Sequence, residues 1–304
     1  MRYFSFYDED SVGDTHLFGE GVGGHSMPGV RVGRILEDGR VEVAPAHEGR
    51  PAIVRDRAEL RAAPAIPRPG KIVCIGMNYR DHVEEQRIPV PERPTLFAKF
   101  PNAIVADGEP VIHPAGSHAL DLEVELGVVI GREARHLRAA DAMDHVAGYV
   151  VCNDISARDW QGNTRALRSG ERGDGQWLRA KGSDTFLPMG PMFVGTDEIP
   201  EPHALRLRSW RIPGSGPDAG GTVQMQDGTT ADMIFRIPEL IEFVSAAITL
   251  EAGDLLVTGT PAGVGVWRDP PIFLQPGDRV RVEVEGIGKV ENPIAAPADL
   301  SDAG

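Results

Sequence analysis

Apolar positions in this chain fall in short alternating or continuous runs, broken at close intervals by turn-forming residues. Arg31 to Leu36 and Arg40 to Val43 flank Glu37-Asp38-Gly39, a hairpin signal through its Asp-Gly pair. Ile72 to Ile75, Thr95 to Phe100 and the stretches 122–130, 147–153, 192–195, 203–212, 222–226 and 255–258 read as strands. A hairpin of 279–285 with 287–291 closes the chain, and Asp227-Gly228 reads as a turn. Helical periods are few. Pro238 to Ile248 is the clearest, with Pro in its first turn and Leu240, Ile241, Val244, Ala247 and Ile248 in one apolar stripe. Shorter helical stretches are predicted around 138–145 and over Asp81 to Gln86. The balance points to an α+β, mainly β fold in preference to a doubly wound sheet.

Residues 1–62 read as a small β-rich unit, and the proline-dense stretch Pro64 to Pro69 as a stiff link. Residues 1–69 thus form an N-terminal domain with its linker, and 70–304 form the main domain. The 36 glycines and 25 prolines among 304 residues agree with short strands and many turns. A formal charge of −14 disfavours nucleic acid and anionic membranes as partners, because phosphate binding needs a basic surface. A small anionic substrate in a locally basic pocket stays open. Cys74 and Cys152 lie in apolar runs and read as reduced core thiols. The stretch Met1 to Asp14 carries four acidic residues and does not read as a secretory signal. No run approaches the roughly 20 apolar residues of a membrane span, so a cytoplasmic location is expected.

Asp121-Leu122-Glu123-Val124-Glu125-Leu126 places Glu123 and Glu125 on one face of a strand, since strand side chains alternate. An exposed strand face would explain that pair on its own. Asp154 closes the next apolar run, however, and gives a third carboxylate. Three hard oxygen ligands without nearby Cys or His suit Mg²⁺, Mn²⁺ or Ca²⁺ and not zinc. If the chain turns helical at Asp154, Arg158 and Gln161 fall on the same face at i+4 and i+7 and can orient substrate oxygens. A helix cap with an ion pair fits the same residues.

Lys181 stands among apolar and small residues, where a lysine can stabilise an enolate or hold a carboxylate, or simply be solvated. Thr258-Gly259-Thr260-Pro261-Ala262-Gly263-Val264-Gly265 follows a strand; its glycines allow close approach of main-chain N–H groups and its hydroxyls can bond a carboxylate. It lacks the lysine of a phosphate-binding loop. His82 and Glu85 stand at i and i+3, a spacing at which a carboxylate can orient an imidazole as a general base.

In their order, Gly76-Met77-Asn78-Tyr79 with His82 and Glu85, Phe97-Ala98-Lys99, Asp121 to Leu126, Asn153 to Gln161, Lys181 to Phe186 and Thr258 to Gly265 resemble the fumarylacetoacetate hydrolase family over about residues 70–293. The resemblance implies a mixed β-sandwich roll, a homodimer, and Glu123, Glu125 and Asp154 as ligands of Mg²⁺ or Mn²⁺. It puts Lys181 in a catalytic role, Lys99, Arg158, Gln161 and Gly259 on the substrate side, and Thr260 beside a substrate carboxylate. His82 and Glu85 match a dyad on a mobile lid that orders over ligand. Two departures bear on the substrate. Gly162 to Gly175 is long and brings Arg165, Arg168 and Arg172, and Ser183 stands where a bulkier residue is common.

The implied activity is hydrolysis of a C–C bond in an acylpyruvate-type 2,4-dioxo acid, through an enolate that the metal stabilises, with a water activated by His82. The same enolate serves an isomerase, hydratase or decarboxylase of 2-oxo diacids such as oxaloacetate or 2-hydroxyhepta-2,4-diene-1,7-dioate. A non-catalytic, metal-stabilised binding protein is the alternative of another class. The sequence leaves the acyl group and the pathway open.

Overall fold

A computed structural model describes residues 1–8, 29–44 and 51–297. Parts of the expected 1–62 unit and the last residues of the main domain therefore lie outside the described residues. The larger sheet has ten strands, in the order Ile53–Arg55, Val41–Val43, Val30–Ile35, Arg2–Tyr7, Met192–Gly195, Val146–Asn153, Val124–Ile130, Leu255–Val257, Ile72–Gly76 and Thr95–Lys99. Leu255–Val257 runs parallel to Ile72–Gly76, and the other neighbours are antiparallel. A second sheet holds Val223–Thr229, Arg206–Ile212, Arg279–Val284, Gly288–Ala295 and Val111–Ile112. One apolar cluster joins them, with Val128, Tyr149 and Val151 from the first and Leu207, Val282 and Val290 from the second. The fold is mainly β with few helices, as the patterning predicts.

Val124–Ile130 is buried along its whole length, which is why its run is continuously apolar after Glu125. The N-terminal strands extend the same sheet: Arg2 to Phe4 pair with Val194 to Met192. The proline-dense connector is packed as well. Ala63, Ala65 and Ile66 are buried, and Ala65 N donates to Gly190 O at 3.0 Å.

Some boundaries differ from the pattern. The main helix is Ile237–Ser245, and Leu240, Ile241 and Val244 face the core. Ala247 and Ile248 lie beyond its end and are exposed, so the apolar stripe overreaches the helix. Asp227-Gly228 is not a turn but lies within strand Val223–Thr229, paired with Arg208 and Leu207. Gly228 is needed there for another reason: a Cβ would collide with the Pro261 ring. Among the described residues no helix is long and apolar enough to cross a membrane.

Candidate active site and metal centre

Glu125 is the second residue of Val124–Ile130, and Glu123 stands just before that strand. The antiparallel neighbour Val146–Asn153 ends opposite, with Asn153 paired to Val124. Two bonds lock this corner: Asn153 Oδ1 accepts from Glu123 N at 3.0 Å, and Glu123 O accepts from Asp154 N at 2.9 Å. Glu123, Glu125 and Asp154 are all buried, and one carboxylate oxygen from each lies within 4.8 Å of the others.

Three cations surround the cluster. Lys181 Nζ donates to Glu123 Oε2 at 2.6 Å and to Asp154 Oδ2 at 2.7 Å. Arg158 Nη2 donates to Glu123 Oε1 at 2.6 Å, and its Nε to Asp121 Oδ2 at 2.9 Å. Arg158 is not reached by a helix starting at Asp154. Ser156–Ala157 pairs with Leu120–Asp121, and the helix is only Arg158–Gln161. Ile155 N is bonded to Phe186 O at 3.1 Å, so the backbone after Asp154 is held in extended form by its neighbours. Gln161 still joins the site: its Oε1 accepts from Arg158 Nη1 at 3.1 Å.

Lys99 sits behind Asp154, fully buried and outside the cavity lining. Its Nζ lies 2.7 Å from Asp154 Oδ1 but directs its protons to the carbonyls of Ile155 (3.2 Å), Phe186 (2.7 Å) and Lys181. Asp154 Oδ1 thus forms a buried ion pair with an ammonium that those carbonyls share. Gly259, at φ +94°, turns its N–H to Glu125 Oε2 at 2.5 Å and so holds a carboxylate of the cluster.

His82 and Glu85 lie on helix Arg80–Gln86, with His82 Nδ1 2.5 Å from Glu85 Oε1. In the neutral ring such a bond places the proton on Nδ1 and leaves Nε2 as an acceptor. Glu85 Oε2 also accepts from Gly263 N at 3.0 Å, and Asp81 Oδ2 from Ala262 N at 3.1 Å, which docks the helix on the loop after Leu255–Val257.

The cavity between these groups measures about 220 Å³. His82, Glu123, Glu125, Arg158, Gln161, Lys181 and Thr260 line it, together with Asn163, Trp177 and Trp267. Ser183 is not part of that wall, because it closes its own helix with Oγ donating to Arg179 O at 2.7 Å. Arg165 is engaged within the chain, on Val266 O (2.9 Å) and Arg268 O (2.8 Å), and its guanidinium lies over Trp267. Two residues escaped the sequence reading. Asp121 was visible as the third acid of the alternation, and it anchors Arg158 while accepting from Gly265 N at 2.8 Å and Val266 N at 3.1 Å. Gln226, remote in sequence, had no such signal.

Electrostatics show whether a divalent cation suits the carboxylates. Burial opposes the charged form of Glu123, but the Lys181 and Arg158 charges outweigh it and hold that carboxyl well below the usual range. Glu125 is driven the other way. Burial, then the Asp154 and Glu123 charges, push its carboxyl far up. The Asp154 and Glu123 charges thus bear on Glu125, which accepts from Gly259 N and is in no ion pair among the described residues. An all-oxygen donor set with that imbalance fits Mg²⁺ or Mn²⁺.

A family model described as fumarylacetoacetate hydrolase C-terminal matches residues 71–295. A mitochondrial oxaloacetate tautomerase from Homo sapiens is 42% identical over 263 residues, spanning 86% of this chain and 78% of that protein. One from Bos taurus is 44% identical over 241 residues, 79% of this chain and 71% of its own length. Among solved structures, a 5-carboxymethyl-2-hydroxymuconate delta-isomerase from Mycobacterium smegmatis is matched with TM-score 0.74 at 32% identity, covering 98% of this chain and 100% of that one. A fumarylacetoacetate hydrolase from Exiguobacterium antarcticum is matched with TM-score 0.75 at 29% identity and the same coverage. With the matched model spanning most of its length and the buried acidic triad in place, the chain belongs to the fumarylacetoacetate hydrolase family.

Proposed function

We propose that this chain is a divalent-metal-dependent tautomerase or isomerase of a small 2-oxo diacid, interconverting enol and keto forms of oxaloacetate or a close relative. The observation that carries this reading is one imidazole, His82, with a carboxylate-set tautomer, lining a small cavity beside three buried carboxylates. The oxaloacetate tautomerases at 42–44% identity support it and move the choice away from the hydrolysis that the dyad first suggests. A cavity of about 220 Å³ suits a short acid better than a large acyl group.

Glu123, Glu125 and Asp154 would hold Mg²⁺ or Mn²⁺, which when bound acidifies the carbon next to a keto group. Lys181 stays charged, because the Asp154 and Glu123 charges overcome the burial that opposes its ammonium, so it donates and does not act as a base. Arg158, braced by Asp121 and Glu123, supplies further N–H groups for substrate oxygens. His82 Nε2 takes the proton from the carbon and passes it to the former keto oxygen, and the reverse transfer, from enol oxygen to carbon, restores the ketone. The test follows decay of enol oxaloacetate absorbance and solvent deuterium entry at the carbon, with Mg²⁺ and with chelator. Rates equal to buffer containing Mg²⁺ alone would sink the proposal.

Hydrolysis of an acylpyruvate is the second reading, since the same imidazole nitrogen can activate water. Cleavage of acylpyruvates faster than oxaloacetate tautomerisation would make it the first. A homodimer is the expected assembly, and light scattering checks it.

A further inference from the structure

The stretch Gly162 to Gly175 leaves and rejoins the rest of the chain at one place. Gln176 N donates to Trp160 O at 3.0 Å, and a Cβ on Gly173 would collide with the Gly162 backbone. Its returning arm is tied by Asp174, which accepts from Arg179 Nη1 at 2.8 Å, and the same guanidinium lies 3.7 Å over the Trp160 ring. Its outgoing arm crosses to a second loop. Thr164–Ala166 is one 3₁₀ turn and Gly265–Trp267 another, and Ala166 shares a small apolar cluster with Val264 and Val266. Arg165 joins the two turns from outside. Its Nε donates to Val266 O at 2.9 Å and its Nη2 to Arg268 O at 2.8 Å, on either side of Trp267, while the guanidinium covers the Trp267 ring at 5.6 Å. A planar fork of donors suits two carbonyls at once, which an ammonium does not.

Both turns border the cavity, through Asn163 and Trp267, whereas Arg165 does not line it. Asn163 N donates to Arg158 O at 2.9 Å, so this wall adjoins the Arg158 and Gln161 side of the site. The second turn has two other anchors. Asp121 accepts from Gly265 N and Val266 N, and the Arg268 side chain reaches Gln224 O at 2.9 Å. Trp267 lies between them, and Arg165 is the group that covers its ring.

We propose that Arg165 is a positioning residue that clasps the two loops, so that Asn163 and Trp267 form a fixed wall limiting the length of the diacid the site takes. This rests on the reading of the ligand as a 2-oxo diacid. The charge of Arg165 is spent within the chain, so the loop selects by length and not by attracting a distal carboxylate through this arginine. With the clasp cut, Trp267 can swing and admit a longer chain.

2-Oxoglutarate and 2-oxopimelate test this, because they share both ends and differ by two methylenes. Their Kd values are measured by calorimetry at saturating Mg²⁺ for the wild type, Arg165→Ala, Trp267→Ala, the double variant and Arg168→Ala. The wild type should bind 2-oxoglutarate the more tightly, and equal binding would overturn the proposal. Arg165→Ala and Trp267→Ala should each shift the ratio of Kd values toward 2-oxopimelate by about tenfold, the scale of a methylene in a fitted pocket. The double variant should shift it no further than the larger single change, because the pair acts as one unit; additive shifts would overturn action through Trp267. Arg168→Ala removes the same charge from an exposed position on the same loop and should keep the wild-type ratio. An equal shift there would mean that loop charge, and not the clasp, sets the preference. A merely structural Arg165 would lower Tm and leave the ratio unchanged, which also overturns the proposal. If Trp267→Ala fails to fold, Arg165→Ala, at an exposed side chain, decides against Arg168→Ala. Binding of neither ligand to the wild type would overturn the 2-oxo diacid reading and the clasp with it, a result distinct from binding with an unchanged ratio.

Discussion

Strand Val124–Ile130 buries every residue beside the carboxylate cluster, whereas the Arg80–Gln86 helix buries only His82 and Val83. Glu123 and Asp154 are tied by main-chain bonds, by Lys181 and by Arg158, at a corner where two long strands meet. The helix is attached to the 261–263 loop through Asp81 and Glu85, and Ile88 and Val90 just beyond it are exposed. The geometry of the carboxylate cluster is consequently a property of the core, and opening it means disrupting the sheet. The imidazole proposed to move the proton sits on a short helix with fewer buried residues, which should open at a smaller cost. Capture of the cation and movement of the proton should therefore be separable by experiment.

The largest expected effect is on the carboxylates. Glu123→Ala, Glu125→Ala and Asp154→Ala should each abolish tautomerase activity and weaken Mg²⁺ in direct titration, because a site with three protein ligands cannot lose one. Near-normal turnover in any of them would remove that residue from the centre. EDTA should silence the wild type, with Mg²⁺ or Mn²⁺ restoring it.

Next comes the helix. His82→Ala should lower kcat about 10²-fold or more, while the Mg²⁺ Kd stays at the wild-type value. A parallel loss of metal affinity would break the proposed separation. Hydrogen exchange offers a third measurement: amides of 80–86 should exchange faster than those of 124–130, and oxalate with Mg²⁺ should slow only the former. Equal protection in both segments without ligand would contradict a loosely held cover.

Stability gives the finest contrast. Leu126→Ala, in the buried strand, should cost about 2–5 kcal/mol in denaturant unfolding. Ile88→Ser, 36% exposed beyond the helix, should change stability by no more than about 0.5 kcal/mol. A large loss at Ile88 would mean that the cover is as integral to the fold as the strand beneath it.

Much of the site was legible because its signals are local. Strand alternation sets Glu123 and Glu125 on one face, and a strand end presents Asp154. The i, i+3 spacing brings His82 to Glu85 within one helical turn. What stayed hidden depends on long-range approach. Asp227-Gly228 carries turn chemistry, yet its glycine answers to Pro261 across the molecule. Gln226 bonds Val124 and Thr260, which adjoin it only after two sheets pack. Ile248 continues an apolar stripe after its helix has ended, because periodicity carries no stop signal of its own.

The order of strands in the larger sheet bears on how the chain is made. Leu255–Val257 lies between Val124–Ile130 and Ile72–Gly76, so two blocks that emerge early from the ribosome stay apart until a late segment arrives to join them. At ~5–20 residues per second that wait is on the order of ten seconds, with bare strand edges facing each other. Gly259, the main-chain donor to Glu125, follows two residues later. A stop or split before Leu255 would leave hairpins with open, apolar edges that favour aggregation. Chaperone capture of the nascent polypeptide should fall once synthesis passes Gly259.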